Sequence, residues 1–368
     1  HLIFVVKIKI IMKVCIIGDG LTSLTLAKAL TNQGVFVDIF SNQKFDYKNQ
    51  TRTVGISKNN IDFFNKNILN IEKLLWNINQ IEVYSENLNN ERVLNFENNK
   101  ERIFSIIKNH ELIYNLLFDL KKNTFIKFKK KMNNYDAIKN KYKLIFNLDA
   151  NNIISNKYFY KNFQKDYYSY AHTTIIDHEK KLKNNCAYQI FTKKGPIAFL
   201  PVSNNQTSVV YSARGKKNVD LESMINKYNN KYKIIKIKNK SIFELKSKDL
   251  RSYHHKNILA FGDLLHKLHP LAGQGFNMSI RDIKELLKLI IFKIDHGLDL
   301  DSSICSDFEK KTKHKNFIFT NSIDFIYEVF KFDSKSQNSF LSKSVQFFGK
   351  NKFINKIFSK VADDGIVY

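Results

Sequence analysis

Residues that break or staple a fold are scarce in this chain: its 368 residues include three prolines, three cysteines and one tryptophan. With so few prolines and no Gly/Ser-rich tract there is no flexible linker, and no internal repeat stands out, so any domains must interleave along the sequence. Cys15, Cys186 and Cys305 are far apart and odd in number. They argue against a disulfide framework, point to a reducing compartment, and do not have metal-ligand spacing. Cys15 lies in an apolar run, where a thiol serves as a small hydrophobe. No stretch approaches the ~18 uncharged apolar residues of a membrane span. Acidic residues are also few, 34 against 60 Lys and Arg, for a net charge of +26. Such a surplus suggests nucleic acid or an anionic membrane surface. Here, however, the bases are overwhelmingly Lys, scattered among Asn and Ile as in KYKIIKIKNKS (231–241). No RNA-binding aromatic signature or helix-turn-helix accompanies them. A solvated Lys-rich surface explains the charge, and nucleic acid is not an expected partner.

The chain does have apolar material, 43% of its residues. That is enough for a large core, and the length favours two interlocked domains. The opening HLIFVVKIKII resembles a signal region, but it contains Lys7 and Lys9, lacks a small-residue cleavage site and precedes Met12. Met12 is read as the start, with 1–11 an upstream extension or an extra edge strand.

The pattern predicts a strand over 13–17, a turn GDGLTS over 18–23, a helix over 24–34 capped by Gly34, and a strand over 35–40. Strand, crossover helix and parallel strand within about thirty residues make a βαβ unit, which opens a doubly wound sheet. Short alternating strands are expected in 78–96 and 185–213, a helix over 110–122, and strands over 125–130 and 142–148. A strand over 257–261 leads into the Gly-rich run 262–275 and a helix over 276–295. From Ser302 onward Phe and Ile recur at helical spacing.

Gly18-Asp19-Gly20-Leu21-Thr22-Ser23 is a near match to G-x-G-x-x-G in a strand-to-helix context. The first Gly permits the tight turn, and the second lets a diphosphate approach the backbone. Ser23, in place of the third, is still small enough for close helix–strand packing. The helix start supplies amide donors and partial positive charge. The acidic residue expected at the end of the second strand, as partner of the ribose hydroxyls, is here Ser41. Asp38 stands three residues earlier and should face away, leaving Ser41 and Asn42 as neutral substitutes.

A second constellation is LAFGDLLHKLHPLAGQGFNMSIRD, 259–282. It offers a carboxylate, Asp263, at a strand end after Gly262, then backbone amides at a helix start after Gly273-Gln274-Gly275. An Asp so placed can hold the ribityl hydroxyls of a flavin, and the helix start can stabilise negative charge on the reduced ring. His266 and His269 are read either as a packing pair or as a metal pair. The absence of a neighbouring carboxylate or cysteine cluster disfavours the metal.

The run GDLLHKLHPLAGQGFNMSIRD resembles the GDAAHxxHPxAGQGxNxGxxD signature of class A flavoprotein aromatic hydroxylases. AYQIFTKKGPIAFLP (187–201) resembles a GPxAxLP segment of their ubiquinone-biosynthesis branch, the polyprenyl-phenol hydroxylases. Arg52 in QTRTVGIS matches the family's flavin-proximal Arg, and the likeness runs in order from Met12 to the C-terminus. Three positions depart from the pattern: Asn147-Leu148-Asp149-Ala150 stands for GADG, Leu264-Leu265 for the small pair, and Ser279 for a Gly. Asp149 is either a cap at a strand end or a cofactor ligand.

The resemblance implies an α/β fold. A Rossmann-like FAD-binding domain of glutathione-reductase type (12–77, 101–165, 256–300) would interleave with a mixed β-sheet substrate domain (78–100, 166–255), followed by a C-terminal helical region (301–368). It implies FAD, NAD(P)H or another electron donor, and molecular oxygen, with hydroxylation of a polyprenylated phenol through a flavin C4a-hydroperoxide. It assigns Gly18, Gly20 and Ser23 to the diphosphate, Ser41 and Asp149 to the cofactor, and Arg52 beside the flavin. Gly262 and Asp263 go to the ribityl chain, and Pro270, Gly273, Gln274, Gly275 and Asn277 to the ring. The segment 187–201 would line the substrate face, and no catalytic base is named. The alternatives are a same-fold reductase or halogenase, or an FAD-binding protein without catalysis. A lipophilic substrate adds the expectation of a cytoplasmic protein in peripheral contact with the inner membrane or in a biosynthetic complex. The stretch SFLSKSVQFFGKNKFINKIFSKV (339–361) would supply that contact as a basic amphipathic helix, or else pack on the flavin domain.

Overall fold

A computed structural model describes residues 12–41, 51–88, 91–97, 101–130, 136, 138–215, 217–268 and 274–336. The expectations for 1–11, Asn42, His269, Pro270, Gly273 and the stretch 339–361 lie outside the described residues.

The chain begins with β1 (Lys13–Ile17), α1 (Leu21–Asn32) and β2 (Phe36–Ser41), then β3 (Thr53–Ser57), α2 (Lys58–Asn67) and β4 (Trp76–Ile78). Next come β5 (Gln80–Ser85), β6 (Glu91–Glu97), β7 (Phe104–Lys108), α3 (Asn109–Lys121), β8 (Ile126–Lys130), β9 (Ile145–Asn147) and α4 (Ile153–Tyr158). Longer strands follow: β10 (Asn162–His178), β11 (Cys186–Thr192), β12 (Gly195–Pro201) and β13 (Gln206–Arg214). After α5 (Leu221–Tyr228) come β14 (Ile234–Ile237), β15 (Ser241–Leu250), β16 (His254–His255), β17 (Ile258–Ala260) and β18 (His266–Lys267). Two long helices complete the described chain, α6 (Gln274–Asp295) and α7 (Ser303–Ser336).

One sheet has the order β16-β17-β9-β1-β2-β8 and is parallel except at the β16–β17 pair. Val14, Cys15 and Ile16 are consecutive and fully buried, so this strand is covered on both faces, as central parallel strands are. Cys15 is the small hydrophobe expected of it, and burial pushes its thiol far above the ordinary range. The predicted βαβ unit is present, with its helix shifted toward the first glycine turn. α1 opens at Leu21, not residue 24, because Gly20 adopts the extended N-cap conformation and the helix begins at once. Beyond its C-cap, Gly34 takes φ +73, and its amide donates to the Thr31 carbonyl while the Val35 amide donates to that of Leu30. That paired closure is a Schellman motif, which glycine favours.

A larger mixed sheet follows the order β18-β15-β10-β13-β12-β11-β5-β6, with β14 pairing β10. A small antiparallel sheet, β3-β7-β4, stands between the two. Side-chain bonds tie it across: Thr53 donates to Ser208 on β13 at 3.0 Å, and Thr51 to Ser241 on β15 at 2.9 Å. Among the described residues no helix is long and apolar enough to cross a membrane.

Candidate cofactor site

The first glycine turn follows β1. Gly18 has φ +130, and a Cβ there would stand 3.0 Å from Ser23 Oγ and 3.3 Å from Leu148 Cβ. Backbone conformation and space therefore both require glycine. Ser23 is buried directly opposite, so the small third position does bring α1 close to the strand. Gly20 differs: its φ is ordinary, it is exposed, and a Cβ would meet nothing within 4 Å. The N-cap carries no side-chain hydrogen bond, and no acidic residue stands in the first turn of α1. The helix thus presents its first amides toward open space at Gly20, an anion-binding arrangement.

The second turn comes after β17. Gly262 has φ +59, and a Cβ would meet Thr22 Cγ2 at 3.2 Å and Leu148 Cδ2 at 3.3 Å. Thr22 belongs to α1, and Leu148 also lines Gly18. Two turns more than 240 residues apart in sequence therefore share one floor. The carbonyl of Asn147 accepts the Phe261 amide, and the Leu148 amide donates to Ile17, which fixes that floor between β1 and β17. Asp263 is exposed between the buried Gly262 and Leu264. At the start of α6, Gly275 is exposed with nothing among the described residues within 4 Å of a would-be Cβ, and Gln274 Oε1 is buried without a hydrogen-bond partner among them.

The other predicted positions are distributed as follows. Ser41 ends β2, buried, in register with Lys130. Asp38 is buried on the same strand, ion-paired to Lys13 at 2.9 Å and Lys129 at 2.6 Å, and accepts the Tyr142 hydroxyl. Burial alone would raise its pKa, but these partners hold it below the usual carboxylate range. Arg52 is exposed at the start of β3, with its guanidinium carbon 5.4 Å from the Phe243 ring centre on β15. Asp149 accepts the Asn151 amide at 2.9 Å, an Asx turn just after β9. Of the two readings of Asp149, the capping one is thus visible.

The Asn277 side chain is hydrogen-bonded to three groups of the β3–α2 segment. Its Oδ1 accepts from the Ser57 amide and from Asn60, both at 2.9 Å, and its Nδ2 donates to the Gly55 carbonyl at 2.9 Å. It fastens the first turn of α6 to the β3–α2 junction. His266 is packed inside the protein. It is buried, with Nε2 hydrogen-bonded to Asp282, whose other oxygen accepts from Asn316 at 3.1 Å. Burial opposes a charged imidazole, yet Asp282 beside it, with Asp249 and Asp263 nearby, carries its pKa above the ordinary value. Spacing in sequence gave no sign of this partnership, because Asp282 lies on a helix and His266 on a strand.

The segment 187–201 is divided by strand alternation. Tyr188, Ile190, Ile197 and Phe199 pack with Leu221, Ile225 and Tyr228 of α5. Ala187 and Leu200 point the other way, toward Trp76, Ile78 and Ile106 of the small sheet. Both sets thus lie in apolar clusters, the first against α5 and the second against the small sheet.

These residues fit a dinucleotide with a flavin ring. One uncapped helix start lies beside an open glycine, an exposed carboxylate stands at an adjoining strand end, and a second helix start offers another open glycine and a buried amide oxygen unpartnered among the described residues.

Comparison with known proteins agrees. The family model described as "FAD binding domain" matches residues 176–298. The mitochondrial ubiquinone biosynthesis monooxygenase COQ6 of Schizosaccharomyces pombe is 23% identical over 274 residues, 60% of this chain and 57% of that protein. The 3-demethoxyubiquinol 3-hydroxylase of Escherichia coli is 28% identical over 153 residues, 39% of each. The chain thus spans about half the length, or less, of the curated relatives it matches. In structure, p-nitrophenol 4-monooxygenase PnpA from Pseudomonas putida superposes with a TM-score of 0.76 at 12% identity, covering 95% of this chain and 96% of that one. Klebsiella pneumoniae HpxO, complexed with FAD and uric acid, gives 0.74 at 11%, covering 96% and 97%. By sequence the chain is similar to monooxygenases of ubiquinone biosynthesis and, over 176–298, to an FAD binding domain; its fold is that of PnpA and HpxO.

Proposed function

We propose that this chain is an FAD-dependent monooxygenase that hydroxylates the ring of a lipophilic phenol, a polyprenylated quinone precursor. The observation that carries the reading is that Leu148 lies against both Gly18 and Gly262, with Thr22 of the first turn also against Gly262. One extended dinucleotide can lie across both only if they adjoin. The α1 amides beyond Gly20 would hold the diphosphate, Asp263 the ribityl hydroxyls, and the Gln274–Gly275 end of α6 the pyrimidine edge of the ring. Arg52, between β3 and Phe243, would sit at the ring's open side. Ser41 would stand in for the missing acidic partner of the ribose. Asn277 and Ser23 would serve by fixing the two helices, and Asp149 by shaping the turn after β9. Domain boundaries would follow the sheets, with β5–β6 and β10–β15 forming the substrate wall.

Bound FAD, once reduced by NAD(P)H or another donor, would supply oxygen activation. The protein's own task would be to exclude water and present the phenol edge-on. Ala187 and Leu200 would contribute an apolar wall for that purpose. Peripheral contact with a membrane or a biosynthetic assembly would give access to the substrate's prenyl chain.

The test is the purified full chain. A yellow protein with a flavin spectrum, and oxygen consumption coupled to addition of one oxygen atom to a prenylated phenol, is expected. A folded, colourless protein that takes up no added FAD would remove the proposal. FAD binding without substrate-stimulated turnover would leave a binding protein only.

A further inference from the structure

We propose that His266, Asp282 and Asn316 form a positioning clamp, which holds the α6 start against the Gly262–Asp263 turn and so sets the ring end of the cofactor site. The inference rests on the FAD reading above for its functional part, and on the geometry alone for its structural part. His266 stands three residues beyond Asp263, on a strand of only two residues. So short a strand offers few ladder bonds, and the turn must be anchored by something else. The imidazole meets Asp282, eight residues into α6, with both side chains almost wholly buried. Eight residues are about 12 Å of rigid helix, so a lateral shift at Asp282 is carried to Gln274. The second Asp282 oxygen is held by Asn316 of α7, so the long C-terminal helix is tied to the same point.

Buried ion pairs are poor sources of net stability, because desolvation offsets the attraction, and an apolar pair of equal volume would fill the space as well. An apolar pair would leave the helix free to slide or rotate. Directional bonds to both carboxylate oxygens do not. Orientation is what this pair contributes.

The experiment uses the full chain with His266→Ala, Asp282→Ala, the double variant His266→Gln/Asp282→Asn, and Asn316→Ala. Two readouts are taken, FAD dissociation constant and amide hydrogen exchange of the apoprotein. The single changes are expected to weaken FAD binding at least tenfold and to lose protection selectively over 262–268 and 274–282. The strands β10–β13 should keep theirs. The double variant, which restores a neutral hydrogen bond, is expected to recover binding to within about threefold of wild type. Asn316→Ala should give the same selective loss at smaller amplitude, and it decides the matter if the single changes at His266 and Asp282 do not fold. Wild-type affinity in the single variants, or loss of protection spread evenly over the chain, overturns the clamp. If the wild type itself takes up no FAD, the functional reading fails alone, and the exchange pattern still supports or refutes the clamp.

Discussion

Gly262 rests on Thr22: with φ +59, a side chain at this position would be forced to within 3.2 Å of the Thr22 methyl. The contact joins the loop after β17 to the first turn of α1 and makes a single site of two distant segments. Gly262→Ala should therefore cost about 1–2 kcal/mol for the left-handed backbone alone. The displaced Thr22 adds to that and opens the floor, so FAD affinity should fall by at least tenfold. Chemical denaturation and flavin titration of the same preparation check both. Undiminished FAD affinity would separate the two turns functionally.

Gly20 poses the opposite case. It has ordinary backbone angles and empty space where a Cβ would go, so nothing in the fold needs glycine there. Gly20→Ala and Gly20→Val should melt close to wild type, with a loss of about 1 kcal/mol or less from the weaker N-cap. Their FAD dissociation constants should nevertheless rise in the order of side-chain size, because the diphosphate requires that space. A melting temperature that drops while affinity holds would place the diphosphate elsewhere.

The two glycine turns were legible in the sequence because their signal is local. A phosphate cradle needs glycine at fixed offsets between a strand and a helix, and Gly18-Asp19-Gly20 and Gly262-Asp263 announce this without neighbours. The odd spacing from Ser41 likewise told that Asp38 would not share its face. What could not be read was set by partners far along the chain. Leu148 reads as an ordinary apolar residue, yet it lines both turns. Asn277 reads as a motif letter, yet its amide is consumed by Gly55, Ser57 and Asn60, more than 210 residues upstream. In 187–201 the alternation was visible, but which face α5 would cover was not, since α5 begins only at Leu221. β10, at 17 residues the longest of the described strands, passed without a distinct signal because polar and apolar residues change their rhythm at the irregularity between Asp166 and Ser169.

Asp38 illustrates a charge that serves the fold. Its carboxylate gathers Lys13, Lys129 and the Tyr142 hydroxyl under the first sheet. Burial works to raise its pKa, but the partners prevail and depress it. A depressed carboxyl adds stability that is present above its unfolded value of about 3.9 and is lost as pH falls through the folded value. Asp38→Asn should therefore be less stable than wild type near neutrality by about 1–3 kcal/mol. Because both lysines are partly exposed and can turn to water, the low end is expected. Urea melts over a pH series should show the gap closing in acid below about pH 4. A gap that widened there would contradict the assignment.

Asp249 runs the other way. It is buried in register with His266, its Oδ1 has no hydrogen-bond partner among the described residues, and burial pushes its pKa up to about 6. Between about 3.9, its unfolded value, and 6, the native protein keeps a proton that the unfolded chain has already lost. Stability contributed by this site must then fall as pH rises through that window and level off above it. Asp249→Asn removes the charge without removing a bond at Oδ1, so it should stabilise the protein near neutrality by about 1–3 kcal/mol and make no difference in acid. The same substitution leaves His266 with Asp282 as its near carboxylate, so flavin affinity should change by less than about threefold while stability rises. Denaturation midpoints of the two proteins, compared on either side of the window, decide it. A constant offset at all pH values would mean that Asp249 is already paired and ionised in the folded state.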